Sequence, residues 1–383
     1  MKKKRTAMIV YSYYPEDPRV RREAEALEEK GYKIDIFCLN FKGQKPKKEK
    51  FGNITVYRSN VGKSRGGKLS YIFEYFFFIF LLYHKVTFHF LAKFYKAVHV
   101  HNMPDFLVFI ALIPKLFGSK IIIDLHDPTP EVYIAKYDID KNHKMIRVLT
   151  FLEKLSIGFA KKVITPNIAF KRLFASRSCK DSKIDIIMNS PNEKIFQKPA
   201  HSVRKKDNQF KIIYHGSVVE RHGLHEALVA IKKLLPQIPH IRFDIYGGGD
   251  YEEQLIKEIK EMGLTKHVFF NGFLMQEDLI PVILNSDLGI IPNRRNAFTE
   301  INFPTRIFEY ICLGIPVIVP ETIGIKDYFK NNELLIFEAD NADSLANVIF
   351  DVYKNYDKKI KQLEKCYEIY NQYTWAKQKK TFS

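Results

Sequence analysis

The stretch Phe303–Pro320, FPTRIFEYICLGIPVIVP, constrains the fold more than any other part of the chain. Its first half reads as a short helical run carrying Arg306 and Glu309. Gly314 and Pro316 break that run, and Pro316–Pro320 is a continuous apolar segment. Such a segment, fed by a helix, marks a parallel strand buried on both faces. A guanidinium and a carboxylate just ahead of the Gly-Ile-Pro turn suit a pocket for a phosphate and a ribose. Arg can fork onto phosphate oxygens, and Glu can accept from both ribose hydroxyls. The pocket is read as one for a nucleotide-sugar, to which the rest of the chain brings an acceptor.

The amino-terminal half alternates strand and helix. Thr6–Tyr11 and Ile34–Cys38 read as strands flanking a helix over Val20–Lys30 that ends at Gly31. This βαβ opening predicts a right-handed crossover and a parallel sheet. The first strand is followed by YYPEDPRVRR rather than GxGxxG, which disfavours a dehydrogenase-type dinucleotide site. Asp17, Arg19, Arg21 and Arg22 occupy that turn, and solvated charges at a helix start are an equal reading. Lys42–Lys50 reads as a basic, mobile segment, Ile54–Arg58 as a strand, and Val61–Lys68 as a loop with two glycines and three cations. Ala97–His101 and Ile121–Leu125 are further strands. His101 and His126 fall at their carboxyl ends, where open α/β sheets bind ligands, with Asp127 and Glu131 nearby. They form neither an HExxH pair nor a zinc constellation.

Between these strands lies LSYIFEYFFFIFLL, Leu69–Leu82, continuing through Phe88–Tyr95. It is shorter than the roughly 20 apolar residues of a membrane span, and Glu74 interrupts it. One reading packs this helix on the sheet. The other lays it in a bilayer interface beside basic loops, and the two are compatible. The chain as a whole has formal net charge +18 and a pI near 9.4, which calls for an anionic partner. Four scattered cysteines, Cys38, Cys179, Cys312 and Cys366, show no CxxC pair and point to a reducing cytoplasm. The basic start, MKKKR, precedes an apolar run too short for a signal peptide.

After the polar, Lys-rich Glu193–Gln209, read as a linker, the pattern repeats. A strand enters His215-Gly216-Ser217, and Glu220-Arg221-His222-Gly223 leads into a helix. Glycines and a helix start offer backbone donors to a phosphate, and Arg221 adds charge. Gly247-Gly248-Gly249 would let a flat ligand approach the backbone, or would be a plain strand-to-helix turn. Further strands, Val268–Asn271 and Leu288–Ile291, bring at least five strand ends to one edge. Ser344–Tyr356 and Lys358–Lys380 read as closing helices.

Seven segments together carry a resemblance: YPEDPRVRREAEALEEKGY, VHVHNMPDF, DLHDPTPEVY, HGSVVERHGL, DIYGGGD, VFFNGF and FPTRIFEYICLGIPVIVP. In this order they resemble the retaining GT-B glycosyltransferases of family 4, over nearly the whole chain. The resemblance implies two Rossmann-like α/β domains facing a cleft, the acceptor on residues 1–190 and the donor on 210–360. Residues 191–209 would link them, and a terminal helix, 361–383, would cross back to the first domain. Glu309 resembles the Glu that closes the family's EX7E motif and binds ribose. Ile301 stands where the first Glu would, with Glu300 one place off, and Arg306 stands where the FPT/LPT-K-x-x-EY variant has Lys. Ser217 occupies the Arg-like place of the diphosphate-neutralising pair, and Arg221 and His222 fall near the Lys-like place.

The resemblance implies His126, Arg221 and Glu309 as catalytic residues. Gly216, Ser217, Arg221, Gly248, Asn302, Phe303, Pro304, Thr305, Arg306 and Glu309 would line the donor site. Asp17, Arg19, His101, His126 and Asp127 would lie on the acceptor side. No metal and no cofactor is expected beyond the donor, UDP- or GDP-linked. The acceptor would be a saccharide or a lipid-linked one, the setting cytoplasmic at the inner face of the membrane, against an anionic surface and without nucleic acid. Two other classes share parts of this pattern. A non-hydrolysing sugar-nucleotide epimerase needs several paired acid/base carboxylates. A basic nucleic-acid-binding protein needs a binding module or a stacking platform, whereas here the aromatics cluster in apolar helices.

Overall fold

A computed structural model describes residues 4–40, 45–60, 68–197, 208–330 and 333–382. Its chain divides into two compact units, residues 1–188 with 379–383, and residues 189–378. The first unit runs β1 (Arg5–Tyr13), α1 (Pro18–Glu29), β2 (Lys33–Leu39), β3 (Lys48–Phe51), β4 (Ile54–Ser59), α2 (Lys68–Lys93) and β5 (Ala97–His101). It continues with a 3-10 segment (Asp105–Ala111), α3 (Leu112–Leu116), β6 (Lys120–Asp124), α4 (Thr129–Tyr137), α5 (Lys144–Phe159), β7 (Lys162–Thr165), α6 (Ile168–Arg177) and β8 (Ile184–Ile186). The strand order is β3-β4-β2-β1-β5-β6-β7-β8, and only β3 runs antiparallel to its neighbour. Chain order reverses at β1, so the carboxyl ends of β1, β5 and β6 flank a topological switch point. The register sets Val10 beside His101 and His101 beside Asp124.

The segment read as mobile, Lys42–Lys50, ends in β3, whose Lys48 pairs with Tyr57. Its alternating charges hid it, because an edge strand is blunted by such residues rather than marked by apolar ones. The loop read over Val61–Lys68 lies, up to residue 67, outside the described residues. In α2, Phe78, Leu82, Val86 and Phe90 are buried at a spacing of four, facing the unit's interior. Phe77, Phe80, Leu81, Phe88 and Leu91 are exposed on the same helix. No helix among the described residues is long and apolar enough to cross a membrane.

The second unit runs β9 (Phe210–His215), α7 (Leu224–Leu234), β10 (Ile241–Tyr246), α8 (Glu252–Glu261), β11 (Val268–Phe270), α9 (Gln276–Leu284) and β12 (Leu288–Ile290). It ends with α10 (Arg306–Leu313), β13 (Val317–Pro320), α11 (Ile323–Lys326), β14 (Leu335–Phe337), α12 (Ala342–Lys354), α13 (Tyr356–Tyr370) and α14 (Trp375–Gln378). Its six strands are all parallel, in the order β11-β10-β9-β12-β13-β14, with the switch point between β9 and β12. The PVIVP segment is β13, a central strand whose four residues are all buried. Helix α10 buries Ile307, Phe308, Tyr310, Ile311, Cys312 and Leu313 and ends at Gly314 in the left-handed conformation. The Tyr310 hydroxyl donates to the carbonyl of Ile213 on β9 at 3.2 Å, which ties this helix to the switch-point strand.

The terminal helix does not run unbroken from 358 to 380. It stops at Tyr370, whose ring lies 5.3 Å from that of Phe308, so α13 packs on α10 within the second unit. Only residues 379–383 group with the first unit, where Lys379 pairs with Glu29 at 2.6 Å and Lys30 donates to the Lys379 carbonyl.

Candidate functional site

In the second unit the candidate site gathers at the carboxyl end of β9. The Arg306 guanidinium, on the first turn of α10, donates to the His215 carbonyl at 2.6 Å and stacks 4.7 Å over the Tyr214 ring. Gly216 passes beneath it at φ +137, and a Cβ there would lie 2.8 Å from Arg306 Nη1, so a side chain would displace the cation. The Ser217 carbonyl accepts from the Tyr214 hydroxyl at 2.6 Å and lies 2.7 Å from His222 Nδ1. These contacts fix the loop. Burial and the Arg306 charge push His215 down to about 3, so its imidazole is neutral, 3.5 Å from Glu309 Oε2. His222 is pushed down to about 3 by burial and Arg306, with a smaller contribution from Arg221.

Arg221 sits in the short 3-10 turn Glu220–His222, and its backbone carbonyl accepts from Arg294. Its buried Nε has no hydrogen-bond partner among the described residues. A guanidinium without a carboxylate, beside a second one at Arg306, is a site prepared for an anion. The Gly247-Gly248-Gly249 turn serves a different purpose from ligand approach. A Cβ at Gly247 would meet the Gly216 carbonyl oxygen at 1.8 Å, and one at Gly249 the Val218 carbonyl oxygen at 2.1 Å. The close neighbour is the protein's own loop, and only Gly248 is open.

Two of the residues expected to line the donor site are buried in packing. Phe303 is 7% exposed and packs edge-on against Tyr328 and at a tilt against Phe308, and Pro304 is buried with it. Both act as packing for α10. Thr305 is its N-cap residue without a side-chain cap bond, and Asn302 donates its backbone N–H to Phe298. Glu300 does not stand in for the missing first Glu. Arg295 holds it at 3.0 Å, and it accepts from the backbone of Ile323.

In the first unit the expected acceptor-side residues form a buried network. Asp17 caps α1, accepting from the backbone of Arg19 and Val20. Arg19 is 5% exposed and grips Asp124 with two 2.7 Å bonds, while its third donor reaches the Ile187 carbonyl. His101 is fully buried, with Nδ1 3.0 Å from His126 Nε2, and both lie against Asp124 Oδ2. Arg19 and His101 therefore build the scaffold, because the sheet and α1 close over them, while the half-buried Asp17 caps α1. His126, with 19% of its side chain exposed, stays at the surface of this network.

Sequence reasoning missed the groups that hold His126. Asn102 accepts from the His126 backbone N–H at 2.7 Å and donates to the Asp127 carbonyl at 2.7 Å. Asp105 in turn accepts from Asn102 and Thr129. Burial pushes the Asp105 carboxyl up from 3.8 to about 7, against the pull of these two bonds. Glu23, also buried, is raised well above its ordinary value by burial and by Asp124. Burial would raise Asp124 too, but Arg19, His126 and His101 hold it well below the usual range. Two carboxylates share one guanidinium, and burial beside Asp124 favours the protonated form of Glu23 over that of Asp124. Glu23, His99, His101 and Asp124 place donor atoms within 4.8 Å of one another, a spacing that would suit a metal. Arg19, 3.2 Å from Glu23, already supplies the cation this group surrounds.

Two family models match the chain, "Glycosyltransferase Family 4" over residues 19–191 and "Glycosyl transferases group 1" over residues 196–369. Among curated proteins, the amylovoran biosynthesis glycosyltransferase AmsK of Erwinia amylovora is 28% identical over 123 residues, 32% of this chain and 30% of that protein. The matched stretch spans about a third of the length of such relatives. Among solved structures, sucrose-phosphate synthase of Thermosynechococcus elongatus superimposes with TM-score 0.80 at 17% identity, covering 99% of this chain and 97% of that one. Anabaena HepE, in complex with UDP-glucose, gives TM-score 0.74 at 15% identity, covering 98% and 97%.

Two outcomes follow from the buried network. Arg19→Ala leaves Asp124 buried without its guanidinium, with only the two histidines against it, and should cost about 3–5 kcal/mol in urea unfolding, with Arg19→Lys a poor rescue because it cannot fork. Asp105, with its folded pKa raised, contributes stability present below about pH 4 and lost as pH rises through about 7, up to about 4 kcal/mol. Asp105→Asn should flatten the fall of unfolding free energy over that window, and an unchanged slope would show that another group titrates there.

Proposed function

Because the chain belongs to the GT-B glycosyltransferases of the family 4 type, we propose that it moves a sugar from a UDP- or GDP-linked donor to a saccharide or lipid-linked acceptor. The setting is cell-envelope polysaccharide or glycoconjugate synthesis, in keeping with AmsK being a glycosyltransferase of amylovoran biosynthesis. The observation that carries this reading is the pair of guanidinium groups without carboxylate partners among the described residues, Arg306 and Arg221, on the carboxyl rim of β9, with Glu309 on the same helix as Arg306. A nucleoside diphosphate gains negative charge as the glycosidic bond breaks, and fixed cations aimed at it stabilise that charge most strongly. Arg221 and Arg306 fill this role, so the reaction needs no metal for it. Glu309 accepts from the ribose hydroxyls, oriented by the neutral His215. The backbone N–H of Ser217, in a loop held by Tyr214 and His222 and by the Gly216 N–H bond to the Tyr246 carbonyl, completes the diphosphate seat. That the HepE complex contains UDP-glucose supports a donor of this kind.

On the first unit, His126 is the group offered to the acceptor, and Asn102 and Asp105 keep its loop in place. The transfer is read as retaining, by front-face attack shielded by the leaving group, with no carboxylate placed as a covalent nucleophile. The protein works in the cytoplasm and rests on the anionic inner face of the membrane, a reading supported by the exposed aromatic residues of α2 and the +18 charge.

A thermal-shift panel of UDP-, GDP- and ADP-sugars tests the donor, since a ligand bound only by the folded state raises the melting temperature. One nucleotide should give a clear shift. Arg221→Ala should lower turnover by about 10²–10³-fold, and Glu309→Gln should weaken donor binding by about tenfold or more. Turnover should persist in excess EDTA. No shift with any donor, or full activity in Arg221→Ala, would contradict the reading.

A further inference from the structure

The amino-terminal edge of the first unit's sheet, the end remote from His101 and Asp124, carries a cavity of about 650 Å³. Five cations line it: Lys4, Arg5, Lys33, Lys93 and Lys96. Their gathering follows from topology. Parallel neighbours start side by side, and the backbone bonds Lys33 N–H to Lys4 and Lys96 N–H to Arg5, both 2.9 Å, bring the starts of β2, β1 and β5 into one row. One buried carboxylate, Asp35, answers this charge, and it pairs with Arg5 at 3.2 Å and Lys93 at 3.0 Å. Lys4, Lys33 and Lys96 have no carboxylate partner among the described residues. Like charges facing one cavity repel unless an anion joins them.

The rim says what kind of anion. Phe94 and Phe117 border the cavity at 59% and 56% exposure, and both rings lean on the buried ring of Phe90, at 4.8 and 6.0 Å. Phe94 sits at φ +55, a conformation that bulky residues rarely adopt. Leu91 and Leu116 beside them in sequence are also mostly exposed. A free phosphate in water gains nothing from such a border. A phosphate carried on acyl chains does, because aromatic and aliphatic side chains enter the interfacial layer while lysines meet the headgroups.

We propose that this cavity seats the phosphate headgroup of an anionic phospholipid, with Phe94, Phe117, Leu91 and Leu116 inserted beside it. The proposal rests on the membrane-bound reading above and gives it a site. It is independent of the donor residues.

The test is flotation of the full chain with vesicles of phosphatidylcholine alone or with phosphatidylglycerol added. Binding should need the anionic lipid and fall steeply as salt rises from about 0.1 to about 0.5 M. Lys33→Glu/Lys96→Glu should weaken it by about tenfold or more, and Phe94→Ser/Phe117→Ser should weaken it with the charges intact. Both variants should keep the wild-type melting temperature and the thermal shift with the donor sugar. If the charge reversal unfolds the protein, Lys33→Gln/Lys96→Gln should still lower binding. Unchanged flotation of a folded charge variant would overturn the proposal. So would displacement by soluble glycerol phosphate at concentrations equal to the lipid, which would mark a small-anion site. A concentration-dependent dimer abolished by Phe94→Ser/Phe117→Ser would instead assign the face to a second copy. If flotation succeeds while no nucleotide-sugar shifts the melting temperature, the donor reading fails and this one stands.

Discussion

The reversal of strand order beside the first strand of each sheet decides where this chain can meet a ligand. Helices cover both faces of a parallel sheet, so the backbone is reachable only where neighbouring crossovers diverge. In the second unit that place is the end of β9, and Arg306, His215, Gly216 and Arg221 all derive their positions from it. Helix α10 is anchored there by six buried side chains and the Tyr310 hydroxyl, which leaves Glu309 off its buried face. The guanidinium is thus fixed by packing before any substrate arrives, and fixed charges stabilise a leaving group without reorganising.

The first unit uses its switch point differently. A bidentate pair, Arg19 and Asp124, lies buried between α1 and the sheet, and two histidines and Glu23, whose carboxyl burial pushes up, surround it. Buried ion pairs contribute little net stability but penalise any arrangement that separates them. Here the pair locks the end of β6, and the Asn102–Asp105 bridge locks the loop beyond it. His126 is the group this scaffold presents.

Much of this architecture was legible in the sequence because buried parallel strands read as unbroken apolar runs and their ends carry glycine, histidine and proline. Strand β3 was not, since Lys48–Phe51 is an edge strand of alternating charge. The glycines at 247 and 249 were legible as necessary, but their cause was not: they clear a neighbouring loop distant in sequence. Phe303 and Pro304 sit inside the motif that identifies the site and still serve as packing, because a motif records neighbours as well as contacts. Asp105 and Glu23 gain their significance only from burial, which no local pattern reports. The last helix ends at Tyr370, whose ring meets that of Phe308, a contact distant in sequence that no local pattern reports.

The central claim is that Arg221 and Arg306 grip the diphosphate of an activated sugar. Calorimetric titration of nucleoside and nucleoside diphosphate against the wild type and against Arg221→Ala and Arg306→Ala tests it most directly. The account predicts that the diphosphate adds most of the affinity and that each variant loses this increment while binding the nucleoside as before. Equal affinity for nucleoside and diphosphate, or variants that bind the diphosphate like the wild type, would contradict it.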